Sequence, residues 1–115
     1  MIRGNIYELK PGEIRPEKEI FNLLFEGDNC RVERIISSGH TTPEGSWYDQ
    51  EMDEWVILLQ GTATIEFADG QVATLKDGDY IFISAHQRHR VIFTSVEPPC
   101  FWLAIHGKIN MQSVE

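Results

Sequence analysis

Glu54 opens an otherwise apolar segment, EWVILLQG, and His86 and His89 lie in a polar turn, SAHQRH, that follows the apolar run YIFI. Carboxylate and imidazole are the side chains that ligate divalent metals or transfer protons near neutral pH. Both kinds stand at the ends of segments of strand length. If the strands around them alternate regularly, Glu54 shares a face with Val56 and Leu58, and His89 shares one with Val91 and Phe93, leaving Arg90 and Thr94 toward water. A carboxylate and an imidazole would then share one interior. Burying them without partners costs several kcal/mol, so a metal, a hydrogen-bond network or water must accompany them.

Seven segments rich in Val, Ile, Phe, Trp and Thr supply the strands: RVERIIS, EWVILLQ, TATIEF, QVATL, YIFIS, HRVIFTS and FWLAIH. Ala68-Asp69-Gly70 and Lys76-Asp77-Gly78-Asp79 read as tight hairpins between neighbours. Short strands with turns every eight to twelve residues or so indicate an all-β antiparallel sandwich or barrel with little helix. PEKEIFNLLFEGD is ambiguous: Ile20, Leu23 and Leu24 fall at helical spacing, yet the same residues read as a strand. Both faces of EWVILLQ and of FWLAIH are apolar, which calls for a second cover. The expected cover is a partner subunit in a homodimer, with Ile2 to Leu9 as an added strand.

With 115 residues the chain is expected to form one domain: an N-terminal arm with strands over 1–29, a barrel core over 30–107 and a tail over 108–115. Eighteen acidic against ten basic residues give a formal charge of −8, which repels phosphate backbones and anionic headgroups, so neither nucleic acid nor membrane is an expected partner. No apolar run approaches the roughly 20 residues needed to span a bilayer, and MIRGNIYELKPGE lacks the apolar core of a secretory signal, so the expected compartment is the cytoplasm. Cys30 and Cys100 fall in no CxxC pattern and are expected to be two buried thiols.

Glu54 followed by six residues and Gly61, and Gly78 followed by five residues, Ser84-Ala85-His86, two residues and His89, resemble the two motifs of the cupin superfamily. Sixteen residues separate Gly61 from Gly78, close to the short spacer of microbial cupins, and with the flanking strands the resemblance spans roughly residues 30 to 107. It implies a jelly-roll (double-stranded β-helix) barrel and a divalent metal (Zn, Mn, Fe, Ni or Co) held by the motif residues. Where the family has His-x-His, however, this chain has Tyr48-Asp49-Gln50. Only Glu54 and His89 carry over directly, with Gln50 able to offer a carbonyl oxygen as a third ligand and water completing the shell.

His86 stands at the family's glycine position, a turn of unusual backbone angles, and is expected at the barrel mouth, as a second base or simply in solvent. Two functional readings follow. In the first, a metal on Gln50, Glu54 and His89 polarises a small oxygenated or sugar-like substrate, His86 or Tyr48 moves the proton, and Tyr48, Gln50 and Arg88 bind the substrate. In the second, the same pocket is a metal-free binding module for a sugar or small organic acid. Trp47 and Trp102 read as core or interface fillers, His40 as a loop residue able to close over the mouth, and His106 as a residue with no partner visible in sequence.

Overall fold

The computed structural model describes residues 1–109. Eight strands follow in chain order: β1 (Ile20–Gly27), β2 (Cys30–Ser37), β3 (Asp53–Gln60), β4 (Thr62–Phe67), β5 (Val72–Lys76), β6 (Tyr80–Ile83), β7 (His89–Thr94) and β8 (Cys100–Gly107). They form an antiparallel five-stranded sheet, β1-β2-β8-β3-β6, and a three-stranded sheet, β5-β4-β7. The described residues contain no helix. The ambiguous N-terminal segment is therefore strand β1, paired antiparallel with β2. Ladder hydrogen bonds to β2 outweigh a helical pattern too short to hold on its own.

The core lies between the sheets. β3 contributes Val56 and Leu58, β8 contributes Trp102 and Ala104, β4 contributes Ala63, Ile65 and Phe67, and Leu75 and Ile83 close the ends. Each set is spaced by two, the period that points alternate side chains to one face. On the outer face, the chain covers part of the five-stranded sheet itself. Arg34 Nη1 donates to the carbonyls of Ile6 and Glu8, and Tyr7 packs on Phe101 with ring centroids 5.6 Å apart. Ile2 to Leu9 form no strand in this chain.

Three local expectations are corrected. Lys76 to Asp79 does form a turn, but it joins strands of different sheets: Leu58 N–H donates to Asp79 O and Gly78 N–H to Leu58 O, which feeds β6 onto β3 instead of back onto β5. In β7 the pairing shifts so that Thr64 faces Phe93 and Ile65 faces Val91, leaving Ile92 as an extra, bulged residue. Alternation reverses there, so Phe93 is exposed and Thr94 buried. Cys30 is exposed and only Cys100 is buried.

Gly61, the glycine that follows β3, has φ of 108°, and a Cβ there would stand 2.8 Å from Cys100 Sγ and 3.0 Å from Ser95 Oγ. Gly61→Ala is therefore expected to lower stability by roughly 2 kcal/mol or more, from backbone strain and overpacking together. Urea unfolding checks this; a change in midpoint within error would contradict it.

Candidate metal and ligand cavity

Strand register builds one wall of the site. Arg31 on β2 pairs with His106 on β8, and His106 pairs with Glu54 on β3, so these three side chains form one row across the sheet. Glu33 pairs with Ala104 and therefore stands diagonal to His106 on the same face. His106 Nε2 lies 3.1 Å from Glu33 Oε1 and 3.9 Å from Glu54 Oε2. From the opposite sheet, His89 Nε2 lies 3.9 Å from Glu54 Oε1. Glu54 thus stands between two imidazoles that face different oxygens of its carboxylate.

A second set of contacts fixes His89 and Gln50. Tyr48 and His89 exchange backbone hydrogen bonds of 2.8 and 3.2 Å, and their rings stack with centroids 5.5 Å apart. His86 N–H donates to Gln50 O at 2.8 Å, and Ala85 N–H donates to Asp53 Oδ1 at the same distance. His86 is the one non-glycine residue with positive φ, 63°, among the described residues. The turn thus adopts the backbone that a glycine would favour, and Asp49 Oδ1, 2.7 Å from His86 Nδ1, holds its side chain outside.

These residues surround a cavity of ≈ 90 Å³ between the sheets. Glu19, Glu33, Tyr48, Gln50, Glu54, His89 and His106 supply its polar lining, and Phe21, Ile35, Val56, Ile65, Ile83, Val91 and Trp102 its apolar lining. No Lys or Arg lines it. Burial pushes the Glu54 carboxyl above the usual carboxylate range, with His106 and His89 offsetting part of that cost. Burial likewise raises Glu19, which accepts a hydrogen bond from Ser37 Oγ, itself an acceptor from Trp102 Nε1–H. The hydrogen bond from His106 holds Glu33 below its usual range despite partial burial. Tyr48 is raised, chiefly by burial.

His89 Nδ1 lies 2.9 Å from Gln87 O. A carbonyl only accepts, so Nδ1 carries the proton and Nε2 keeps a lone pair toward the cavity, the form in which imidazole ligates metals. Gln50 Oε1 is buried without a hydrogen-bond partner. Among the described residues no group of three or more His, Cys, Asp or Glu is arranged to hold a metal ion. A metal beside Glu54 and His89 would therefore need a neutral oxygen donor, and the unpartnered Gln50 Oε1 fits that need.

The structure brings Gln50, Glu54, His89 and Tyr48 to one cavity and leaves His86 and Arg88 out of its lining. His86 pairs with Asp49 in solvent, and the Arg88 guanidinium lies 5.6 Å from the Trp47 ring centroid, with Arg90 over the same ring at 4.6 Å. His40 closes no cavity wall; its Nδ1 accepts from Ser38 N–H and its Nε2 faces Pro16 O at 3.1 Å. Glu19 and Glu33 are polar cavity residues with no counterpart among the sequence candidates, and His106, for which no partner is visible in the sequence, joins them in the lining with Glu33 as its partner. Alternation in FWLAIH, which sets His106 on the face of Trp102 and Ala104, was the available signal for its inward direction.

The family model for the cupin domain matches residues 35–106. Among solved structures, a Ralstonia eutropha JMP134 protein provisionally named a mannose-6-phosphate isomerase is 39% identical, with a TM-score of 0.85 over 95% of this chain and 100% of that one. A cupin superfamily protein of Desulfitobacterium hafniense DCB-2 is 22% identical, with a TM-score of 0.70 over 84% of each chain, and shares the fold. No curated protein matches the chain. With two motif-spaced site residues on facing sheets of a jelly-roll barrel and a family match over more than half its length, the chain belongs to the cupin family.

Proposed function

We propose that this cupin binds a divalent metal through Gln50, Glu54 and His89 and acts on a small polar or sugar-like molecule in the same cavity. The observation that carries the reading is the set of acceptors lining one cavity: the unpartnered Gln50 Oε1, the free Nε2 lone pair of His89 and, 3.9 Å from that nitrogen, the buried Glu54 carboxylate. Three acceptors without a donor between them are what a cation satisfies. Once bound, such a cation polarises a ligand oxygen. Tyr48, stacked on His89, is placed to contact the ligand, whereas His86 and Arg88 stand outside the cavity and would act only on a group that projects from it.

Protein purified without chelator or affinity tag is expected to carry stoichiometric metal when assayed across Mn, Fe, Co, Ni, Cu and Zn. None of the six above trace level would contradict the reading. A metal-free binding module is the second reading, favoured by the Glu33–His106 hydrogen bond, which satisfies part of the buried cluster without a metal. The name of the Ralstonia relative adds sugar-phosphate isomerisation to the candidate chemistries; a lining without Lys or Arg offers its phosphate no partner inside the cavity.

A homodimer is part of the same proposal. β1 is an edge strand whose Phe21, Leu23 and Phe25 are each about half exposed, an apolar edge that a second copy would cover. Light scattering at micromolar concentration is expected to give twice the 13.2 kDa chain mass. A mass of one chain would contradict this.

A further inference from the structure

We propose that Glu33 and His106 form a subsite for the hydroxyls of a small uncharged polyol, and that the acid lining of the cavity turns away carboxylated and phosphorylated analogues. The inference deepens the small-molecule part of the proposed function and does not depend on the metal.

Glu33 and His106 belong to neither motif, yet they stand inside the barrel, 4% (His106) and 15% (Glu33) exposed, locked to each other at 3.1 Å. Only one Glu33 oxygen is spent on that contact, which leaves the other as a charged acceptor at the cavity wall. A charged acceptor left without a donor selects ligands rich in O–H groups. On the same cavity, Trp102, Ile35 and Val56 offer apolar surface to the C–H face of such a ligand.

Charge and size narrow the class. Glu19, Glu33 and Glu54 line the cavity with no Lys or Arg among them; Arg31 stands beside His106 in register, where its charge already favours the Glu33 and Glu54 carboxylates, and it is not part of the lining. A ligand carboxylate or phosphate inside would meet Glu33 with no cation in the lining to pair with. The ≈ 90 Å³ of space is far below the roughly 300–1,000 Å³ of drug-sized pockets. It admits a three-carbon polyol, or one end of a longer one.

Calorimetric or NMR titrations with glycerol, glycerate and glycerol 3-phosphate test this, on protein as purified and after chelation. Saturable glycerol binding is expected, with both anions at least tenfold weaker. Glu33→Gln should weaken glycerol by roughly tenfold, the cost of losing a charged acceptor, while narrowing the gap between glycerol and glycerate. A merely structural role for Glu33 would instead weaken all three ligands alike. That result, no saturable glycerol binding, or an anion bound as tightly as glycerol would each overturn the proposal. If Glu33→Gln does not fold, His106→Gln should show the same tenfold loss for glycerol, and unchanged affinity there would overturn it. Absence of metal from the protein as purified would sink the metal reading, and saturable glycerol binding by that same protein would leave this inference standing.

Discussion

His89→Ala is expected to abolish the metal binding proposed for the cavity. Of the two imidazoles lining the cavity, His89 is the one whose Nε2 lone pair is left open, because Nδ1 is committed to Gln87 O, whereas His106 Nε2 is engaged with Glu33. Without His89 the remaining donors are Glu54 and the amide oxygen of Gln50, and oxygen sets hold late transition metals poorly. Loss of a mere supporting partner costs roughly 10–100-fold in metal affinity, so loss of this ligand should cost at least that. Elemental analysis of variant and wild type purified side by side reads the effect. Equal metal content would remove His89 from the ligand set and favour the metal-free module.

Glu54→Gln should separate stability from function. Glu54 is 7% exposed, and burial raises its carboxyl above the ordinary value of 4.5. A group whose folded pKa is raised gives its full stability below the unfolded value and loses it as pH rises through the folded value. Around pH 7 the wild type therefore bears the cost of a buried carboxylate, and the isosteric amide does not. In chelator, Glu54→Gln is expected to be more stable by about 1 kcal/mol, which is roughly 4 °C in Tm for a domain near this size. The gain should vanish below pH 4.5, where both side chains are neutral. Added metal should raise the wild-type Tm by mass action and leave the variant unchanged. Glu33 works in the opposite sense: its lowered carboxyl contributes stability above pH 4.5 that is lost as the solution is acidified through its folded pKa. A variant less stable than wild type at pH 7 in chelator would contradict the assignment of Glu54 as a buried, strained acid.

Much of the frame was legible in the chain. All seven apolar segments are strands, because period-two burial against a facing sheet leaves the same signature wherever the strand sits. Glu54 and Gly61, and Gly78 and His89, were legible as spaced pairs because each spacing measures one strand and its turn. What pairs with what was harder to read. The row Arg31–His106–Glu54 joins residues from three strands distant in sequence, and no local pattern encodes that register. The bulge at Ile92 inverted the inward set of β7 beyond Val91, since one inserted residue flips every later side chain. The Lys76–Asp79 turn carries hairpin residues, yet tertiary hydrogen bonds to Leu58 decided which sheet β6 joins. Where His86 points was also outside sequence reach: the positive φ was readable from its motif position, and the pairing with Asp49 was not.

A crystal grown with Mn, Co or Zn and measured at the metal's absorption edge would show whether Gln50, Glu54 and His89 hold a metal. One strong anomalous peak is expected inside the barrel, bonded to Gln50 Oε1, a Glu54 oxygen and His89 Nε2, with the Glu33–His106 contact intact. A cavity without an anomalous peak at saturating metal, or a metal bound outside it with Gln50 and His89 still unligated, would contradict this ligand set.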